Sequence, residues 1–513
     1  MKIIDNLFPE RALKKAVARK KLEILNAGYS YHGASGVKKS LVGWLSKSAG
    51  PDDDIVRNVE KLRERSRDMF MGGAPIATGA LKTIRTNVIG PGLRLNAQID
   101  AEFLGMNPDE ADEWERNTER EFALWAESKT CDASLANNFY QLQALAFLSM
   151  MMSGDAFALL PVIQRQNSPY DLRVYLLEAD RVCDPMINDL SKNILGGVET
   201  GNYGEPIAYH IAQKHPGNST TYKNEWKRVL AYGSRTGRRN VLHLMDHERP
   251  EQRRGVPLLA PVIEQLKQLG RYTDAELMAA VVTGMLTVFI ESENPQNELG
   301  EGISYLDQIE PDDESSYELG NGAIVGLAPG EKANTVNPLR PNTAFDGFVV
   351  SICRQIGVAL ELPFELLIKH FTASYSASRA ALLEAHKFFR MRRAFIGSDF
   401  CQPIYEEWLF EAVAKERVYA PGFLEDPAVR KAYSGAEWYG PSFGVLDPTK
   451  EVAAAKIRVD EGFSTREKET AELSGLSYDY VFNKRVREEQ KRRDSGLVTI
   501  NTQVTNNNDG QSK

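Results

Sequence analysis

The chain has 513 residues, 42% of them hydrophobic and 26% charged, which is long enough for several cored domains and ordinary for a globular protein. Its formal net charge of −8 excludes a surface that attracts nucleic acid as a whole, so any DNA contact must come from local patches. The four cysteines, Cys131, Cys183, Cys353 and Cys401, form no CxxC pair and Met1 opens no secretory leader, so reduced thiols in a cytoplasmic setting are expected.

Residues 1–50 read as a flexible basic arm. Arg11, Lys14, Lys15, Arg19, Lys20 and Lys21 crowd one short helical segment ahead of the linker-like NAGYSYHGASGVKKS. From Asp53 to about Asn87 the apolar spacing (Ile55, Val59, Leu62, Met69, Ile76, Ala80, Ile84) is helical, and Gly90-Pro91-Gly92 ends it. LRLNAQI then alternates as a strand, residues 108–127 form a charged helix, and Asn138 to Met152 an apolar one stopped at Ser153-Gly154. DAFALLPVIQR and LRVYLLEADRVCDP read as strands separated by the turn cluster QNSPYD. Ile207, Tyr209 and Ile211 alternate in the next strand, and RNVLHLMDHERP closes the region. Helices followed by antiparallel strands indicate an α+β fold.

A helical pattern restarts at Pro257, with Leu259, Val262, Ile263, Leu266, Leu269, Leu277 and Val281 on one face. The uncharged run Leu277 to Ile290 is fourteen residues. A membrane span needs roughly 17–25, so the run is expected to be the buried part of a longer helix. Residues 291–341 are acidic and turn-rich, with AIVGLA strand-like, and read as a small protruding module. A second helix runs from about Ala344 to Leu360 and breaks at Leu362-Pro363. The polar loop KHFTASYSAS follows, and a basic helix opens near Ser378. After Ser398 the pattern stays helical through Val413. VYAPGFLEDPAVRKAYSGAEWYGPSFGVLDP reads as a loop-rich patch, helices resume at Pro448–Gly462 and Thr465–Glu489, and the tail from Gly496 reads as disordered.

The chemistry of a catalyst is missing. There is no P-loop, since Gly326 to Lys332 has the wrong spacing, and neither a G-x-S-x-G elbow nor H-E-x-x-H occurs. His243 and His247 are four apart but lie where a strand runs into a loop, so a surface pair is expected rather than zinc ligands. Asp312-Asp313 and Asp52 to Asp54 read as solvated turn charges.

Two features carry a functional expectation. Arg379, His386, Arg390 and Arg393 fall at i, i+7, i+11 and i+14, one face of a helix, with Leu382, Ala385, Phe389 and Ile396 opposite. That face is a rail toward a neighbouring subunit or DNA, or simply a solvated surface. Lys369, His370 and Thr372 occupy the loop between helices. There one cation and free backbone amides could brush a phosphate backbone without reading bases, or merely connect two helices.

Taken together, RERSRDMFMGGAPIATGALKTIRTNVIGPGLRL (63–95), YLLEADRVCDP (175–185), HLMDHERPEQRRGVPLLAPVIEQLKQL (243–269) and IGVALELPFELLIKHFTASYSASRAALLEAHKFFRMRR (356–393) resemble the lambda-type portal proteins of tailed bacteriophages. The resemblance spans about 50–470 and implies a portal fold closed into a ring, a dodecamer, at one vertex of the phage head. It maps an α+β wing onto 51–256, stem helices onto 257–292 and 342–361, and a clip onto 293–341. The tunnel loop falls on 362–378, further wing helices on 379–445, a helical crown on 446–495 and a disordered tail on 496–513. It implies that double-stranded DNA passes the channel without sequence readout, and no catalytic residue, metal or cofactor. The implied partners are the terminase large subunit, major capsid and scaffold proteins, and neck proteins, in the virion and, during assembly, the host cytoplasm. Two other readings stand beside it: a membrane-associated assembly factor using Leu277–Ile290, and a metal-dependent nuclease using acidic residues.

Overall fold

The computed structural model describes residues 49–186, 193–218, 225–285, 289–292, 331–334, 345–371, 374–442 and 448–497, with isolated positions before residue 49. Most of the basic arm, the acidic insert with its AIVGLA strand, Thr372 and the tail from residue 498 lie outside the described residues.

The first helical stretch is two helices, α1 (Arg57–Asp68) and α2 (Pro75–Val88), rather than the single expected pattern. The break is encoded in Gly72-Gly73-Ala74-Pro75. The residue before a proline is driven out of the helical region, and Ala74 is extended (φ −154°) while Pro75 opens α2 where no amide is needed. After β1 (Arg94–Ala97) and a turn of helix, α3 (Ala101–Leu104), come the two long core helices. They are α4 (Pro108–Ala126) and α5 (Phe139–Ser153), and both begin where expected because reciprocal capping boxes fix their starts: Asn107 with Glu110, and Asn138 with Gln141. Their inner faces meet α10 (Gln402–Ala414) around Phe122, Trp125, Phe139, Tyr405 and Trp408, all fully buried; the Phe122 and Trp408 rings stand edge to face at 5.0 Å.

The strands that follow α5, up to Met245, form two antiparallel sheets. β2 (Asp155–Leu159) lies between β3 (Tyr175–Leu177) and β8 (Val241–Met245). β4 (Ile194–Leu195), β5 (Val198–Thr200), β6 (Pro206–Ala212) and β7 (Trp226–Leu230) pair in sequence order, and β4 and β7 were not read from the sequence. The period of two along β2 splits its side chains: Ala156 and Ala158 join the main core, whereas Phe157 joins a second core with Leu177, Val198, Tyr209 and Ile211. At the end of α5 the backbones of Gly154 and Gly255 touch. A Cβ on Gly255 would lie 1.9 Å from the Gly154 carbonyl oxygen, so only glycine fits.

Beyond Gly255 the chain enters α6 (Ile263–Met285). The expected longer helix is corrected here: α6 stops at Met285, and Phe289–Ser292 is a strand, β9, paired antiparallel with β10 (Glu331–Asn334). Val288, Phe289 and Ile290 are β-branched or aromatic types that favour that change. α7 (Phe345–Ala359) returns, followed by a short α8 (Phe364–Ile368) inside what reads from sequence as loop, and by α9 (Tyr375–Ile396). α9 starts three residues ahead of Ser378, because Ser374 caps it by accepting from the Ala377 amide.

The patch expected to be loop-rich holds α11 (Pro427–Tyr433) and β11 (Ala436–Tyr439). β11 pairs with β1, setting Leu95 opposite Trp438 and so fastening the C-terminal third to the first core helices. α12 (Pro448–Asp460), α13 (Arg466–Ser474) and α14 (Tyr478–Asp494) complete the described chain. Gly475, in the left-handed conformation, divides the single helical stretch expected from Thr465 to Glu489.

Candidate functional site

Two regions that carry the sequence-level expectations converge on the helix pair α6–α7 and its continuation. The first half of α6 is buried as its stripe requires, through Leu266 and Leu269. Past Leu269 the stripe emerges from the body: Leu277 is 63% exposed, Met278 61% and Val281 43%. For Leu277, Met278 and Val281 this corrects the expectation that the apolar run is buried core; the side chains of residues 282–290 lie outside the described residues. On α7, Cys353 and Ile356 are buried while Phe348 and Val358 are open, Val358 at 81%. The two helices are held to each other by Tyr272, whose ring stacks on Phe345 at 5.5 Å and meets Phe348 edge-on at 4.9 Å. A row of large apolar side chains left in water along a helix pair is the signature of a surface completed by another molecule.

α7 ends in a tight reversal. Glu361 is left-handed (φ 55°), the Leu362 amide donates to the Gly357 carbonyl at 2.8 Å, and Leu360, Leu362 and Leu367 are buried beneath it. α8 ends the same way: Lys369 sits at φ 56°, and the His370 amide donates to Glu365 at 3.1 Å. A non-glycine residue in that region is uncommon, and here it turns the chain outward, leaving Lys369, His370 and Phe371 exposed. The structure therefore brings Lys369 and His370 together at the tip, anchored on one side by Leu367 in the core and on the other by the Ser374 cap.

The structure divides the basic face of α9. Arg379 is half-buried near the loop, and Arg390 pairs with Glu472 of α13 at 3.2 Å. Arg393 turns into the chain's own body. Its guanidinium donates to the carbonyls of Asn87 (3.0 Å), Val88 (3.1 Å) and Pro441 (3.0 Å). The first two are terminal carbonyls of α2, groups that a helix leaves unsatisfied and that favour a cation. Burial pushes the Arg393 pKa down to about 10, and burial followed by Arg390 and Arg393 lowers that of His386. Opposite, Ala385, Phe389 and Ile396 are buried and Leu382 half-buried, as the helical spacing requires. Arg392, outside the predicted face, pairs with Asp246 at 2.5 Å.

A third cluster was not legible as a site. Asp155 is wholly buried and accepts from Arg63 (2.6 Å), from Arg254 (2.7 Å) and from the Gly255 amide (3.0 Å). Arg254 also donates to the carbonyls of Ala179 (2.9 Å), Val182 (2.7 Å) and Gly196 (2.5 Å), and Arg63 to that of Ser153 (2.8 Å). Burial alone would raise the Asp155 pKa, but Arg254 and Arg63 outweigh it and hold the carboxyl far below its usual range. Desolvation pushes Arg63 down to about 10. His243 corrects the surface-pair expectation: it packs against Phe157 at 4.2 Å, with its Nε2 3.4 Å from Asp155, and burial lowers its pKa. His247 is exposed. This node ties α1, β2, β8 and two loops to the segment that leads into α6. The only hint in the sequence is the string Arg253-Arg254-Gly255 ahead of a helix.

Among the described residues no group of three or more His, Cys, Asp or Glu side chains is placed to hold a metal ion, and no helix is long and apolar enough to cross a membrane. The geometry thus offers an open apolar helix pair, a projecting cationic turn and a rigid internal anchor.

Comparison with known proteins places these features in context. The profile of the family described as "Phage portal protein, lambda family" matches residues 38–393, which include α6 through most of α9. Portal protein B of Escherichia phage lambda is 25% identical over 498 residues, covering 92% of this chain and 91% of that protein. The portal protein of Escherichia phage N15 is 25% identical over 494 residues, with the same coverage of each. Among solved structures, a chain from the neck of a native GTA particle computed with C12 symmetry aligns with TM-score 0.42 and 14% identity, over 81% of this chain and 94% of that one.

Proposed function

Since the chain belongs to the lambda family of phage portal proteins, we propose that about twelve copies close head to tail into a ring through the open faces of α6 and α7. A portal protein is a structural component of the virion that serves as the channel for genome packaging, and it is not an enzyme. The observation that carries the ring reading is the exposed row Leu277, Met278, Val281, Phe348 and Val358, which a single chain leaves in water.

In this reading α6 and α7 are the stem, and Lys369 with His370 forms the tip of a tunnel loop facing the DNA. Thr372 belongs to the same loop. Residues 293–341 form the clip, which would dock first the terminase large subunit and then neck proteins. Residues 51–256 and 379–445 form the wing, against capsid and scaffold proteins, and α12 to α14 the crown. On the α9 face Arg379 would serve as a subunit or DNA contact, whereas Arg390, paired with Glu472, and Arg393 act from within the chain. Assembly takes place in the host cytoplasm.

The electrostatics suit a conduit. Each phosphate neutralised by a protein cation adds affinity through counterion release, so a channel that must let DNA slide carries few exposed cations. A net charge of −8 and one lysine at the loop tip meet that condition. The test is native mass and negative-stain imaging of the purified protein. Symmetric rings with a hole wide enough for duplex DNA are expected. A stable monomer or dimer at every salt and protein concentration would contradict the proposal.

A further inference from the structure

α14 stands apart from the rest of the described chain. It has no buried residue, and nothing in α12 to α14 belongs to either hydrophobic core. It packs on α13, Tyr478 stacks on Phe482 at 5.7 Å, and Asp479 lies 3.9 Å from Arg116 of α4. From Phe482 to Leu497 every residue but Glu489 is exposed, so this length of helix gains little from apolar burial.

What it presents instead is positive charge. Six of the ten residues from Lys484 to Arg493 are cations and two, Glu488 and Glu489, are acids, in a chain whose net charge is −8. Lys484, Arg487 and Lys491 fall at i, i+3 and i+7 and form one row along the helix, with Glu488 beside it and Arg485 and Arg492 on its flank. Tyr480 heads the row, its ring carrying the Lys484 ammonium at 4.5 Å. Like charges three and four residues apart on a helix repel each other. Ion pairing relieves little of this. Arg492 lies 3.4 Å from Glu489 in an exposed pair, and Arg485, Arg487, Lys491 and Arg493 enter no ion pair among the described residues. The carbonyl end of a helix favours cations in its last turn, which accounts for Lys491, Arg492 and Arg493. It does not account for Lys484, Arg485 and Arg487 upstream.

We propose that the row Lys484, Arg487 and Lys491 of α14 is a DNA contact separate from the Lys369 turn, which holds the phosphate backbone of duplex DNA without reading its bases. Charge complementarity selects the partner: a polyanion relieves the repulsion along the row, and the genome that a portal protein passes is such a polyanion. The dimensions agree. Seven residues of helix rise about 10 Å, and one DNA strand places a phosphate about every 3.4 Å of its axis, so three cations over that length meet three phosphates. Side chains that offer only charge fix position on the backbone and carry no sequence information. Two tasks are thereby kept apart. The exposed turn at Lys369 presents a single lysine where DNA is to slide, whereas the cations that hold DNA are gathered on one helix. The contact does not depend on the ring reading, since all its groups lie in one chain, and it lies outside residues 38–393 that the family profile matches.

The test is fluorescence anisotropy of a labelled duplex of about 30 base pairs with the full-length protein, titrated from about 50 to about 200 mM salt. Lys484→Gln with Arg487→Gln and Lys491→Gln removes three charges and keeps good helix formers. It should weaken binding at least about tenfold at the lowest salt and flatten the slope of log affinity against log salt by about 2.7 or more. Lys484→Arg with Arg487→Lys and Lys491→Arg keeps the charges and should keep the wild-type slope. Removing three other exposed cations, Lys61, Lys227 and Arg235, by glutamine should change the affinity by no more than about twofold. An α14 glutamine variant with the wild-type slope would overturn the proposal, as would an equal loss in the Lys61, Lys227 and Arg235 variant. A wild type that does not bind the duplex even at the lowest salt would also overturn it, leaving the row to an acidic protein. None of these results bears on whether rings form, which imaging of the same sample reads separately.

Discussion

The body around α4, α5 and α10 and the helix pair α6–α7 solve opposite problems with similar residues. In the body the large aromatic side chains find partners in their own chain: Phe122, Trp125, Phe139, Tyr405 and Trp408 fill one aromatic centre, and the charged Asp155 is enclosed by two arginines. In the helix pair the same hydrophobic spacing ends in open solvent at Leu277, Met278 and Val281. A stripe of apolar residues thus specifies a face, but not whether that face is closed within the chain or between chains. The Asp155 node lies where the two regimes join, so the enclosed body supplies a fixed base from which the open pair projects.

The contrast can be broken most severely at that node. Asp155→Ala leaves Arg63 and Arg254 buried without their carboxylate, and breaking such a pair costs about 3–5 kcal/mol. The expected result is a large fall in the denaturant midpoint of the chain. A midpoint close to wild type would remove the node from the account.

A milder effect should come from pH. His243 binds a proton less readily in the folded chain than free, so its contribution to stability is complete above its ordinary 6.5 and is lost as pH falls below it. Asp155, held low, follows the same direction but yields only in strong acid, below its ordinary 3.8. The body should therefore begin to weaken in mild acid, and His243→Phe, which keeps the packing on Phe157, should flatten that first decline in midpoint against pH.

The open pair should behave in the reverse way. Leu277→Asp with Val281→Asp is expected to change the stability of the unassembled chain by no more than about 0.5 kcal/mol, since surface substitutions seldom do more, yet to abolish rings in negative stain. A variant that unfolds instead would show that these residues are core after all. Smallest on the molecule itself is Lys369→Ala. Folding and ring formation should be untouched, with the change confined to packaging efficiency or DNA retention in an assembly assay. Loss of rings would make Lys369 a structural residue.

Much of the fold is written locally. The capping boxes at Asn107 and Asn138 and the Pro363 break place α4, α5 and α7 to within a residue or two of the sequence reading. The Gly72-Gly73-Ala74-Pro75 string carried the break between α1 and α2, although periodicity across it suggested one helix. Other features have no local signal. β1 pairs with β11 across more than three hundred residues, and β11 is a four-residue strand inside a segment dominated by Gly, Pro and Ser. Spacing places Arg393 on the face of Arg379 and Arg390, but its partners, the last carbonyls of α2 and that of Pro441, are set by tertiary packing alone. Glu115 and Glu119 are similarly hidden: they look like ordinary solvent charges on a charged helix, yet each accepts a backbone amide from the end of β1, that of Ile99 and that of Ala97.

The central claim is that the open faces of α6 and α7 become the walls between neighbouring copies. Oxidative footprinting of Met278 reads it directly, comparing the assembled protein with unassembled chain under the same oxidant dose. Met278 is 61% exposed in the single chain and should react readily there. In the ring it should be protected by at least about tenfold. Rings in which Met278 oxidises as fast as in the free chain would contradict it, because assembly would then use a different surface.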